Sequence, residues 1–83
     1  MKNIDTLRPD DSVTVTIFGP DNNKLYQTTD TGFHNVLTAI RNTVAEANLT
    51  LNPEDCVFEV ANRTTEVTHR YRLNAHDNLK LIV

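Results

Sequence analysis

Hydrophobic and polar positions alternate along five short stretches of this chain and recur at helical spacing along one. Residues 12–18, "SVTVTIF", set Val13, Val15 and Ile17 on one side and Thr14, Thr16 and Phe18 on the other. That is the period of a half-buried strand. "GPDNN" at 19–23 is dense turn chemistry,, so "KLYQTT" at 24–29 returns as the second strand of a hairpin. An even loop puts Tyr26 beside Ile17 on the core face and Leu25 beside Phe18 on the outer face. An odd loop reverses the second strand. Burial of the larger side chain favours the even loop. In "DTGFHNVLTAIRNTVAEANL", Phe33, Val36, Leu37, Ile40, Val44 and Ala47 make one apolar stripe,. Asp30 or Thr31 is the expected N-terminal cap and Asn48 the C-terminal one. "NPED" at 52–55 ends this segment.

"CVFEVA" at 56–61 and "EVTHRYRL" at 66–73 predict a second hairpin across 62–65. A four-residue loop pairs Ala61 with Glu66, Val60 with Val67, Phe58 with His69 and Cys56 with Tyr71. The larger apolar groups except Val57 then share one face. Glu59, Thr68 and Arg70 lie opposite, with Glu59 close enough to Arg70 for an ion pair. After the turn "NAHDN", "LKLIV" at 79–83 is a last strand, with Leu79, Leu81 and Val83 on one side and Lys80 and Ile82 on the other.

The order is strand, strand, helix, strand, strand, strand: an α+β domain with one helix on a mainly antiparallel sheet of four or five strands. Residues 1–11 read as a loosely ordered arm with Ile4 and Leu7 as anchors, and 12–83 as the single domain,. The opening hairpin followed by a helix, and the ending "DNLKLIV", resemble ubiquitin-like, β-grasp folds in element order. The resemblance implies a last strand in the sheet centre, parallel to the first. The carriers of that group end in a glycine pair; this chain ends in Ile82-Val83, so carrier chemistry is not implied.

Composition narrows the function. With 83 residues the chain buries a small core, and association would add stability,. The net charge of -3 lowers the expectation of nucleic-acid binding,. One cysteine excludes an internal disulfide and a cysteine-based zinc site,. No apolar leader or membrane-length segment is present in the 83 residues, so a soluble, cytoplasmic protein is expected,. The two glycines, Gly19 and Gly32, sit in different turns and exclude a glycine-rich phosphate loop,. Cys56 with His69 or His76 is the one enzyme candidate, but Cys56 and His69 read more simply as core residues. His34, His69 and His76 with Asp77 lack ligand spacing. Asp10, Asp11, Glu54 and Asp55 read as solvated caps. No cofactor or metal is expected.

What remains is the polar row of "TEVTHRYRL". With the helix on the far side, the open sheet face carries Thr14, Thr16, Phe18, Glu59, Thr68, Arg70, Arg72, Lys80 and Ile82. Arginine and aromatic residues are enriched at protein interfaces. The expectation is a non-enzymatic protein-interaction module. It binds itself as a homodimer, or another protein, through this face or an edge strand. Phe18, Thr68, Arg70, Arg72 and Ile82 are the contact residues. Nucleic-acid binding by the same face is the alternative, which needs more than one exposed aromatic.

Overall fold

The computed structural model describes residues 6–74 and 78–82. Ile4, His76, Asp77 and Val83, which the sequence places in an arm, a turn and a strand end, lie outside them. The elements follow the expected order: β1 (Val13–Phe18), β2 (Lys24–Asp30), α1 (Val36–Ala47), a 3-10 turn (Pro53–Asp55), β3 (Val57–Asn62), β4 (Val67–Leu73) and β5 (Leu79–Leu81). The strands form one five-stranded antiparallel sheet in the order β2-β1-β3-β4-β5. The fold is α+β.

The β-grasp expectation for the last strand does not hold. β3, not β5, takes the free edge of β1, antiparallel and in register over six residues. β5 lies at the sheet edge, antiparallel to β4. The five-residue link from Leu73 to Leu79 is the reason. A link that short joins neighbouring antiparallel strands readily. Asn74 and Asn78 close it: the Asn74 N–H donates to the Asn78 carbonyl at 3.1 Å, and the Asn78 N–H to the Asn74 side chain at 3.0 Å.

In the first hairpin Ile17 faces Tyr26, the pairing expected of an even loop, but the loop itself is odd and a bulge restores that pairing. Asn22 takes a left-handed φ of 66° after Pro20-Asp21, and its N–H donates to the Gly19 carbonyl at 2.9 Å. This is a three-residue hairpin loop. Phe18 then pairs with Lys24 rather than Leu25, and the irregularity leaves Leu25 as a bulge, 42% exposed.

The second hairpin keeps the expected faces but slips by two positions. Asn62 pairs with Val67, Val60 with His69, Glu59 with Arg70 and Phe58 with Tyr71. Asn62 stays in the strand because its side chain accepts from the N–H groups of Thr64 and Thr65, at 3.0 and 3.2 Å. The loop becomes 63–66, closed by Glu66 at a left-handed φ of 62°. An even slip leaves every side chain on its own side of the sheet.

Helix α1 starts later than expected. Asn35, not Asp30 or Thr31, is its N-cap, accepting from the Thr38 N–H at 2.8 Å. Asp30 instead accepts from the neighbouring Thr31 N–H. Gly32, at φ 90°, turns the chain between them and Phe33 plugs into the core. Asn48 caps the C-terminus in the left-handed region at φ 52°. Val36, Ala39, Ile40 and Thr43 are the buried helix residues, with Thr43 donating to the Ala39 carbonyl at 2.8 Å.

The helix packs on β1, β2 and β3. Its stripe meets Val13, Val15, Ile17, Phe58 and Val60, which with Tyr71 and Leu73 form one core. β4 is backed by the 3-10 turn. Of the N-terminal arm, residues 6–11 are described and fastened. Leu7 is buried and its N–H donates to the His34 carbonyl at 3.0 Å; Thr6 bridges to Asn35. Among the described residues no helix is long and apolar enough to cross a membrane.

Candidate interaction face

The side of the sheet away from α1 carries three rows of side chains, read across the strands from the register. Thr29, Thr14, Ala61 and Thr68 form the first. Gln27, Thr16, Glu59 and Arg70 form the second, which Ile82 extends by donating its N–H to the Arg70 carbonyl at 2.8 Å. Lys24, Phe18 and Val57 begin the third, which continues with Arg72 opposite Lys80. Phe18, Thr68, Arg70, Arg72 and Ile82 therefore share one face.

That face is not uniform. Thr14 and Thr16, expected to be open, are 8% and 3% exposed. Neighbouring strands close over them: the hydroxyls of Thr14 and Thr29 bond at 2.7 Å, and Gln27 donates to Thr16 at 3.0 Å. Lys24 donates in turn to Gln27 at 2.8 Å. The β1–β2 half is thus a hydrogen-bonded polar lid. The open half lies over β4 and β5, where Thr68, Arg70, Arg72, Lys80 and Ile82 are exposed.

Arg70 ties the halves together. Its Nε donates to Glu59 at 3.1 Å, and its guanidinium stands 5.5 Å from the centroid of Phe18. Side-chain exposures of 45% and 29% for Arg70 and Glu59 place the pair among surface ion pairs, which contribute little to stability,. Its consequence is geometric: a cation–π contact and a charge-assisted bond hold one arginine over the sheet,. Arg72 and Lys80 face each other as like charges, and among the described residues no carboxylate lies within ion-pair distance of either.

The strands carry Lys24, Arg70, Arg72 and Lys80 on this side and only Glu59 as an acid. Four of the chain's eight basic residues thus meet one of its eleven acidic ones on a molecule of net charge -3. Tyr26, the second aromatic a base-stacking surface would need, lies on the helix side, where its hydroxyl donates to Glu46 at 3.3 Å.

The other candidate chemistry is dispersed. Cys56 is fully buried and its thiol points at the Asn52 carbonyl, 3.7 Å away. Burial pushes the thiol pKa up, the Asp55 charge adds to that, and Arg72 opposes it weakly. His69 sits opposite Val60 and packs edge-on against Tyr71 at 6.3 Å. Continued register sets Cys56 level with Leu73, four positions from His69, or about 13 Å along the strand. Cys56 and His69 therefore form no thiol–imidazole pair, and His76 lies outside the described residues. Among the described residues no three His, Cys, Asp or Glu side chains gather for a metal.

Asp11 proves to be a buried tie rather than a solvated cap. Its carboxylate accepts from the Asn62 side chain at 2.9 Å and from the Arg8 N–H at 3.1 Å. The Asn62 bond foremost, then the Arg8 bond, hold its pKa below the usual carboxylate range, against the effect of burial. Asp11 and Asn62 also wall a half-open hollow of about 810 Å3 on the helix side, with Leu7, Val36, Val60 and Tyr71. A hollow that size suits a small ligand, but this carboxylate and amide are spent on each other.

Comparisons with family models, with curated proteins and with solved structures found no match to this chain.

Proposed function

We propose that this chain is a non-enzymatic interaction module that binds another protein through the outer face of its sheet. The observation that carries the reading is the one-sided layering. α1 and the core occupy one side, and no element among the described residues lies over Phe18, Thr68, Arg70, Arg72 and Ile82. An arginine held over an aromatic ring, beside exposed Ile82, resembles the anchor composition of protein interfaces,.

A second copy fits this face less well than a different protein. In an isologous dimer the same patch meets itself, so two faces that each carry Lys24, Arg70, Arg72 and Lys80 against the single acid Glu59 would be brought together. Single-stranded nucleic acid also fits less well. Phe18 is the one aromatic on the face, and Glu59 stands in the middle row where phosphates would pass. Edge pairing is open to β2, seven residues long, though Lys24 and Asp30 at its ends are the kind of residues that discourage it.

A photo-crosslinking residue at position 68, compared with one at exposed Ala45 on the helix, tests the reading in the native cells. Discrete protein adducts from position 68 and none from 45 are expected. No protein adduct from position 68, or the same adducts from both positions, contradicts it.

A further inference from the structure

Resting on that reading, we infer that the partner presents an extended segment with acidic residues at both ends and apolar ones between, lying along the third row of the face. Lys24 stands at one end of that row and the Arg72–Lys80 pair at the other, with half-buried Phe18 and Val57 in the middle. Five strands at about 4.8 Å spacing make the row about 19 Å long. An extended chain covers that in about six residues.

Charge complementarity selects the occupant. Arg72 and Lys80 are directly opposed across β4 and β5. Like charges so placed destabilise a hairpin, and a carboxylate between them turns repulsion into two attractive contacts. The guanidinium of Arg72 suits a carboxylate in particular, because its planar fork matches two oxygens. At the far end the exposed Lys24 ammonium donates to Gln27 at 2.8 Å, which uses one of its three donors,. Between them Val57 and the exposed part of Phe18 offer apolar contact and no charge. A uniform polyanion would set charge over that apolar centre, with Glu59 in the neighbouring row. A segment of acidic ends and apolar middle matches the row position by position.

The test is an amide NMR titration of the 83-residue protein with a synthetic peptide of two glutamates, two leucines and two glutamates. A lysine-for-glutamate peptide, a single-stranded oligothymidine and phosphatidylserine vesicles are the other arms. Perturbations are expected at Lys24, Phe18, Val57, Arg72 and Lys80. The affinity should fall about tenfold between low and moderate salt, as exposed charges are screened. The Arg72→Glu/Lys80→Glu variant should keep the fold by circular dichroism and lose binding at least tenfold. No perturbation at low salt, equal binding of the lysine peptide, or tighter binding of the oligonucleotide or vesicles on these amides overturns the inference. If position 68 captures a protein whose contacting segment is not acidic, the inference fails and the interaction module stands. If position 68 captures no protein, the module itself fails.

Discussion

At the residue scale, three side chains are set by backbone or burial in ways that measurements can reach. Glu66 occupies the left-handed region, at φ 62°, without the freedom of glycine. That conformation costs about 1–2 kcal/mol for a residue with a Cβ, part of which glycine returns as chain entropy. Glu66→Gly should therefore stabilise the protein by about 0.5–1 kcal/mol, read as a higher melting temperature; a lower one would mean the Glu66 side chain holds the loop. Asp11 has a depressed pKa, led by the Asn62 bond. The stability it adds is present above the ordinary carboxylate range and is lost as pH falls through its lowered folded value. Asp11→Asn should lower the urea midpoint at neutral pH and narrow its gap to wild type in acid. Cys56 behaves in the opposite sense. Burial raises its pKa, so its contribution is intact below the ordinary thiol value and is lost as pH rises through the raised one. A thiol reagent should modify native Cys56 far more slowly than the urea-unfolded chain. Equal rates would show an open, ionisable thiol and revive the cysteine-enzyme reading.

At the scale of elements, caps and cross-strand pairs decide the margins. Asn35 accepts from both the N–H and the hydroxyl of Thr38, each at 2.8 Å. Asn35→Ala should cost about 1 kcal/mol, while Asp30→Ala, whose side chain caps no helix, should cost less. The β4–β5 hairpin offers a more telling contrast. Arg72→Glu replaces a like-charge pair with an opposite one across from Lys80. It should stabilise the fold by about 0.2–1 kcal/mol while weakening the partner. Gain in one and loss in the other is the signature of a contact kept for binding. A destabilised variant would mean that Arg72 supports the hairpin through its aliphatic stem. The second hairpin also shows why register was only half legible. Alternation specifies which side of the sheet a residue joins, and every face assignment in 57–73 holds. The position of the four-residue loop, settled by the Asn62 side chain and Glu66, moved the pairing by two positions and set Glu59 squarely opposite Arg70.

At the scale of the whole molecule, the layering that leaves one sheet face bare also sets a charge pattern no count of residues reveals. Light scattering from dilute to concentrated protein should report a monomer at low salt, where the two basic faces repel most. A dimer that Phe18→Glu abolishes would put a second copy on the face and contradict the proposal of a different protein. The sequence by itself determined the elements, their order and the side of the sheet each strand residue joins, because helical and strand periods are local and each buried face must be apolar. It also determined that Phe18, Thr68, Arg70, Arg72 and Ile82 share a face. Only the tertiary structure decided the strand order, since pairing β3 rather than β5 with β1 is a choice among edges that alternation leaves equal. The same choice aligned Lys24, Phe18, Val57, Arg72 and Lys80 into one row. It also tied Asp11 to Asn62, 51 positions away. Those contacts join residues far apart in the chain, and no local period encodes them.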